Sequence, residues 1–280
     1  MSSNKNDAPV LIISLLLTVG LLMAGGWWAY QVFAGKNTGV TPGEVDRSPS
    51  GLNSDSNASA NAVSRGDVIL IDGNQTAQKS AGVVAIAQQN YPLAIQQFEK
   101  SLTANRNDPE TLIYLNNAHI GNQTAYTVAV VVPSPAVTDI AEELLRGVAQ
   151  AQQEINQAGG IQGIPLKVVI ATDNDNPTQA KTVAEALVSE ANILGVVGHF
   201  SSDVSLAAID TYQANQMVMM SPTSTSVDLS GAGDFAFRTV QSDAVAANSL
   251  AEYMLDQAQL KQVAIFHNSQ SNYSASLKTE

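Results

Sequence analysis

The sequence predicts an α/β protein built on a doubly wound parallel sheet, preceded by a transmembrane helix and a short all-α segment. Three observations lead to this fold class. From Tyr126 onward, short apolar runs alternate with segments whose apolar residues recur every three or four positions, which is typical of strands alternating with helices. A long uncharged apolar stretch lies near the amino terminus, and a purely helical pattern lies between that stretch and Tyr126.

The uncharged stretch has the length of a membrane span. Ala8 to Ala34 carries no charged residue, and its apolar centre runs from Val10 to Tyr30. A helix needs about 20 apolar residues to cross a bilayer, whereas the apolar core of a secretory signal is usually about 7–15 residues long. Residues 1–34 are therefore predicted to be a cytoplasmic tip and an uncleaved signal anchor, with a cleavable signal as the alternative.

Residues 35–75 are predicted to form a disordered linker. The stretch is rich in Ser, Asn, Gly and Ala and lacks apolar periodicity, so it cannot bury enough surface to offset the entropy of ordering. One short apolar run, Val68 to Ile71, interrupts it near its end. That run either forms a strand or packs against the segment that follows.

Residues 76–121 are predicted to be helical. Ala94 and Phe98 lie four positions apart on one helix face, and Asp108 before Pro109 is typical of a helix start. The stretch also resembles a tetratricopeptide repeat, because Ala94, Phe98 and the run that leads to Pro109 fall at that family's positions. A solenoid generally needs at least about three repeats, and here there is one and the start of another. The segment is therefore either a protein-docking surface or a helical cap that packs against the following domain.

The part of the chain after Tyr126 is predicted to alternate strands and helices. Strands are expected at 127–132, 166–171, 193–197, 217–220, 235–240 and 263–267. Gly159-Gly160 is a typical helix end, while Asn176-Pro177 and Ser242-Asp243 are typical helix starts. Strands that alternate with helices of this length imply a parallel sheet covered on both faces.

Composition excludes several classes of function. The net charge is −12, so the chain repels phosphate backbones and nucleic acid is not expected as a partner. The absence of cysteine excludes disulfides, catalytic thiols and an anchor on a lipid-modified cysteine.

Metal and enzyme chemistry are not expected either. The three histidines, His119, His199 and His267, lie far apart and lack a ligand partner at metal-site spacing. The run Asp173 to Asn176 begins like a calcium loop but lacks the glycine and the glutamate of one. No nucleophile with an adjacent base is visible, so the protein is predicted to need no cofactor and not to be an enzyme.

Two of the predicted strands end in clusters of hydroxyl residues. The strand Ile193 to Val197 stops at Gly198, and the strand at 217–220 stops at Ser221-Pro222. The carboxyl ends of parallel strands lie at one edge of a sheet, where folds of this kind bind their ligands. Hydroxyl groups and free amides at helix starts suit a carboxylate. The sequence therefore predicts capture of a small molecule at this edge rather than its conversion.

Five motifs after Tyr126 resemble the type I periplasmic binding proteins, in the branch that binds leucine, isoleucine, valine and related amino acids. They follow the family's order and spacing from Tyr126 to about Leu277. The motifs are Val130–Pro133, Ala149–Asn156 with Gly159–Leu166, Asp173–Ala180, Gly198–Ser202 and Ser221–Thr225. The resemblance implies one lobe of that family's fold and an amino acid as the ligand.

The resemblance also implies which residues bind the amino acid. Ser202 corresponds to the serine of the first loop that binds the carboxylate. Thr223 and Thr225 correspond to the groups of the second loop that hold the carboxylate and the ammonium. Independently of the resemblance, Ser202 is expected to cap a helix that begins at Asp203.

Two further residues are candidate ligand contacts. Ser134 follows the first strand and is either a contact or an ordinary loop residue. Tyr273 lies where the family often places an aromatic contact from its second lobe. Since the family has two lobes of similar size, residues 126–243 are expected to be lobe one, and residues 244–280 the incomplete start of lobe two.

The resemblance implies a solute-binding protein of an ABC importer. Together with the predicted anchor, it places the chain in the inner (plasma) membrane as a single-pass protein, with its bulk in the periplasm. Its expected partners are an amino acid of branched-chain type or similar, and the permease in the membrane. The alternative is an extracytoplasmic ligand sensor or protein-docking module that uses the same fold.

Overall fold

The computed structural model describes residues 62–71, 73 and 75–280. The predicted signal anchor at 1–34 and the first part of the predicted linker lie outside the described residues. Within the described residues, no helix combines the length and the apolar character that crossing a bilayer requires.

Six strands of the described chain form one sheet in the spatial order β1-β3-β2-β4-β5-β6. The strands are β1 Val63–Ser64, β2 Tyr126–Val132, β3 Leu166–Thr172, β4 Ile193–Val197, β5 Val218–Ser221 and β6 Ala236–Arg238. Neighbouring strands are parallel except β1 and β3, which are antiparallel. The predicted parallel sheet is therefore confirmed for β2 to β6, and β6 is shorter than expected.

Helices cover both faces of this sheet. The covering helices are α1 Ala77–Ala87, α2 Tyr91–Ala104, α3 Pro109–Ile120, α4 Thr138–Gln157, α5 Pro177–Val188 and α6 Ser202–Ala214. Two further helices, α7 Asp243–Glu252 and α8 Asn272–Thr279, contribute no residue to the apolar core on either face. The predicted helix starts at Asp108 and Asn176 are confirmed, because each side chain accepts a hydrogen bond from a first-turn amide.

The two faces have separate apolar cores. On one face, residues such as Val196 of β4 pack with Leu187 of α5 and with α6. On the other face, Ile170 of β3 packs with Phe98 of α2 and Leu145 of α4. Because the strands are buried on both sides, they are almost continuously apolar in sequence.

The helices α1 to α3 share a core with the sheet. Phe98 and Tyr114 are fully buried, with ring centroids 6.1 Å apart. Asn117 of α3 donates to the carbonyl of Val168 at 2.7 Å and accepts from its amide at 3.1 Å, so the helix pairs main-chain groups of β3. This packing is that of a helical cap on the following domain.

The described part of the predicted linker is not disordered, so that prediction is wrong for residues 62–71. Strand β1 pairs with Ile170 and Ala171 of β3. The apolar run that follows forms no strand but packs against the helices, with Ile71 only 1% exposed and the amide of Leu70 donating to Glu110 at 2.6 Å. Residues that are distant in the sequence therefore hold this segment in a defined conformation, although its composition resembles that of a linker.

The carboxy-terminal segment, residues 244–280, also differs from expectation. A strand is expected at 263–267, but none forms there, and Ile265 and Phe266 are 63% and 95% exposed. A strand needs a neighbour to satisfy its main-chain groups, and none of the described strands pairs with this run. The helix start expected at Ser242-Asp243 is present, and α7 is followed by the π-helical turn Tyr253–Gln257.

Candidate functional site

The two hydroxyl-rich loops lie side by side at the carboxyl ends of β4 and β5. The strands are adjacent and parallel, with Val197 opposite Met220. The amide of Gly198 continues the pairing by donating to the carbonyl of Met220 at 3.0 Å. The sequence prediction that these strand ends share one edge is therefore confirmed.

Hydroxyl groups join the two loops directly. Ser224 donates to the hydroxyl of Ser202 at 3.0 Å, and Thr223 donates to the carbonyl of Phe200 at 2.5 Å. Ser221 donates to the carbonyl of His199 at 3.0 Å. The structure thus brings Ser202 and the second loop together, with Ser224 as a direct partner that the sequence did not indicate.

The start of α6 differs by one residue from the prediction. Ser202 is the first residue of the helix, and Ser201 occupies the N-cap position. Ser202 is therefore not the cap, and its side chain faces Ser224 instead. Among the described residues, no side chain caps α6. An uncapped helix start presents free amides and the positive end of the helix dipole, which favour an anion.

Thr225 carries a buried hydroxyl oxygen that has no hydrogen-bond partner among the described residues. Its carbonyl accepts from the amide of Asp243 at 2.8 Å, and one oxygen of the buried Asp243 carboxylate likewise lacks a partner there. Each unpaired buried polar group costs about 1–3 kcal/mol. Such groups at a loop predicted to bind ligand are favourable positions for an added polar partner.

Among the described residues, neither Ser134 nor Tyr273 makes a side-chain hydrogen bond to the two hydroxyl loops. Ser134 is fully buried, and its hydroxyl faces the carbonyl of Leu70 at 3.5 Å. Tyr273 is 49% exposed in the first turn of α8. The neighbouring Asn272 donates through its amide and its side chain to Asp203 at 2.9 and 2.6 Å, so α8 lies beside the start of α6.

An apolar cavity of about 240 Å³ adjoins the second loop. It lies between α4 and the carboxyl ends of β2 and β4, where helices change from one face of the sheet to the other. Ligands of open α/β sheets bind at such a switch point. The cavity is lined mainly by Val130, Val131, Leu144, Val148, Val197 and Pro222.

Two carboxylates after β3 support the first loop, and the sequence reasoning missed both roles. Asp173 is fully buried and lies 2.6 Å from His199 Nδ1, while His199 Nε2 lies 3.0 Å from the hydroxyl of Tyr212. Burial, with a further contribution from Asp173, raises the pKa of Tyr212 far above its ordinary value. His199 is therefore a buried core residue at the end of β4.

The second carboxylate, Asp175, accepts a hydrogen bond from the hydroxyl of Ser201 at 2.6 Å. Burial raises the pKa of Asp175, Ser201 opposes that shift, and Asp173 and Asp203 add to it. The signal in the sequence was the pair of acidic residues directly after a strand, at the edge where the first loop also ends.

Comparison with known proteins agrees with this geometry. Residues 125–280 match the family model described as periplasmic binding protein. An amino acid binding protein of Pseudomonas aeruginosa is 34% identical over 128 residues, which are 45% of this chain and 34% of that protein. The Leu/Ile/Val-binding protein of Escherichia coli K12 is 32% identical over 138 residues, 49% of this chain and 37% of that protein. The chain therefore spans little more than a third of the length of these relatives.

Solved structures show the same fold. An ABC transporter substrate-binding protein from Desulfitobacterium hafniense, in complex with Leu, is 33% identical with a TM-score of 0.50, over 55% of this chain and 45% of that chain. A branched-chain amino acid transporter substrate binding protein from Streptococcus pneumoniae, in complex with isoleucine, is 22% identical with a TM-score of 0.52, over 56% of this chain and 45% of that chain. The second similarity concerns the fold alone.

Proposed function

The chain belongs to the periplasmic binding protein family, and from this membership we propose that it is a membrane-anchored solute-binding protein of an ABC importer. Its solute is an amino acid of branched-chain type or similar. Residues 126–243 provide the first lobe of the site, and residues 244–280 begin the second.

The junction of the two hydroxyl loops is the observation that carries this proposal. Ser202 and the first amides of α6 bind the carboxylate of the amino acid, since an uncapped helix start favours an anion. Thr223 and Thr225 of the second loop complete the contacts to the carboxylate and the ammonium. The unpaired hydroxyl of Thr225 supports this role, because a ligand group can satisfy it.

The apolar cavity beside Pro222 supports an aliphatic ligand. Its volume of about 240 Å³ accommodates a side chain of the size of leucine, and its lining is almost entirely aliphatic. The named Leu/Ile/Val-binding relative and the Leu-bound solved structure point to the same ligand class.

Two further contacts complete the proposed site. Tyr273 approaches the ligand from α8, on the side where that helix meets the start of α6. Ser134 is the less favoured contact, because its buried side chain faces the carbonyl of Leu70 and not the two hydroxyl loops.

Calorimetry on the full-length protein tests the proposal. L-leucine, L-isoleucine or L-valine should bind, and L-leucinamide should bind far more weakly because it lacks the carboxylate. Ser202→Ala should weaken binding by about 10- to 150-fold, the value of a hydrogen bond to a charged group. The exposed Ser249→Ala is the matched control. Binding of none of these amino acids, or equal affinity for leucine and leucinamide, would contradict the proposal.

Membrane attachment is tested separately. The full-length protein should remain in the membrane fraction after a high-salt wash, because an apolar helix of this length inserts stably. A variant that lacks residues 8–34 should leave that fraction. An anchored truncation variant would contradict a signal anchor at this position.

A second candidate function follows from the extra helices. The helices α1 to α3 precede residues 125–280, the range that matches the family model. They fit an extracytoplasmic ligand sensor or docking module in which they contact a protein partner. Permease and ATPase genes beside the coding gene would favour the importer, and a kinase or regulator gene would favour the sensor.

A further inference from the structure

Ser201 occupies the N-cap position of α6 but does not cap the helix. Its backbone angles, φ −83° and ψ 162°, lie in the extended region that N-cap residues adopt. A serine there normally accepts a hydrogen bond from the amide of the second or third helical residue. In this structure the side chain makes no such bond and donates to Asp175 at 2.6 Å instead.

Two carboxylates that follow β3, two positions apart in the sequence, hold the loop that carries Ser201. Asp173 lies 2.6 Å from the ring of His199, and Asp175 lies 2.6 Å from the hydroxyl of Ser201. The first pair is fully buried and fixes the main chain of the loop. The pair of Asp175 and Ser201 sets the direction of the Ser201 hydroxyl. The backbone of Ser201 already has the conformation of an N-cap, so only this hydrogen bond turns the hydroxyl away from the helix.

We propose that Asp175 is a positioning residue for ligand binding: by accepting the hydroxyl of Ser201, it keeps the first-turn amides of α6 free for the carboxylate of an amino acid. This inference rests on the proposed function. Without Asp175, the hydroxyl of Ser201 turns to the amide of Val204 and competes with the ligand. The helix then gains a cap, and the site loses a donor.

Binding of L-leucine to three full-length variants separates the hydrogen bond from the charge. Asp175→Asn keeps an oxygen that accepts from Ser201 but removes a negative charge near the ligand carboxylate, so it should bind as tightly as the natural protein or more tightly. Asp175→Ala should bind about 2- to 30-fold more weakly than Asp175→Asn, which corresponds to the usual range of an N-cap. The double variant Asp175→Ala/Ser201→Ala should recover to within about 2-fold of Asp175→Asn. Asp210→Ala, an exposed change later on α6, is the control.

Hydrogen exchange of the ligand-free protein gives a readout that does not depend on any ligand. In Asp175→Ala, the amide of Val204 should exchange several-fold more slowly than in the natural protein, because Ser201 now caps it. The double variant should restore the faster exchange. A general loosening of the loop would instead speed exchange in both variants.

The two measurements distinguish failure of this inference from failure of the proposed function. Slower exchange at Val204 in Asp175→Ala, reversed in the double variant, supports the role of Asp175 even if leucine does not bind. Unchanged or faster exchange at Val204 overturns it. Weak leucine binding by Asp175→Ala that Ser201→Ala fails to rescue also overturns it.

Discussion

The amino-terminal helices α1 to α3 and the carboxy-terminal segment bury their apolar side chains to opposite extents. Phe98 in α2 is fully buried, whereas Phe266 before α8 is 95% exposed. The helices lie before the residues that match the family model, and the carboxy-terminal segment lies within them. How closely a segment packs into this fold therefore depends on the residues that it contacts, and not on whether it lies in the range that matches the family model.

Polar contacts differ between the two regions in the same way. In the helices, fully buried Lys79 lies between Asp108 at 2.9 Å and Glu110 at 2.7 Å. Tyr114 donates to Glu110 at 2.8 Å, and burial, followed by the charge of Glu110, raises the pKa of Tyr114 well above its ordinary value. In the carboxy-terminal segment, the contact from Asn272 to Asp203 is exposed to water. The paired buried charges hold α1 against α3, whereas a hydrogen bond that is exposed to water constrains the two residues that it joins less.

The largest expected effect comes from a matched pair of phenylalanines. Phe98→Ala should lower the free energy of unfolding by about 3–5 kcal/mol, because it removes a fully buried ring from the core shared with the sheet. Phe266→Ala should change that free energy by no more than about 0.5 kcal/mol. Urea denaturation of the full-length variants measures both. Equal losses would show that the two regions are equally integrated.

The sequence predicted the central sheet because its signals are local. Strands β2 to β5 are mainly apolar runs, and the starts of α3 and α5 carry their capping residues Asp108 and Asn176 beside them. The segment at 62–71 was mispredicted because its order depends on β3 and on Glu110, which lies 40 residues from Leu70. Composition alone does not contain such partners.

The position of the candidate site could be predicted from the sequence, but some of its contacts could not. The hydroxyl loops could be located because parallel strands end at one edge of a sheet, and Ser202 does meet the second loop. The position of the cap was wrong by one residue, since local pattern does not distinguish Ser201 from Ser202. The support from Asp175 was missed because it pairs with a residue 26 positions away, which periodicity does not reveal.

Alanine substitutions at two helical glycines should change the free energy of unfolding by smaller amounts and in opposite directions. A Cβ added to Gly82 would overlap the ring of Phe98, which is buried and has no space to move, so Gly82→Ala should cost about 1–3 kcal/mol. A Cβ on Gly147 of α4 meets nothing within 4 Å, so Gly147→Ala should stabilise by up to about 1 kcal/mol through helix propensity. Thermal unfolding of both variants provides the test. Stabilisation by Gly82→Ala would mean that α1 and α2 pack less closely than this structure has them.

A small global effect is expected from Asn272→Ala. The substitution removes the side-chain hydrogen bond to Asp203, but that bond is exposed to water, so the free energy of unfolding should fall by no more than about 1 kcal/mol. The local effect should be larger, because α8 meets the start of α6 through this residue. Amides of α8 should exchange faster in the variant, while those of α2 and α3 should be unchanged. The exposed Gln257→Ala in the same segment is the control. If Asn272→Ala lowered the free energy of unfolding as much as Phe98→Ala does, the carboxy-terminal segment would belong to the cooperative core. The two regions would then differ in exposure alone and not in their coupling to the sheet.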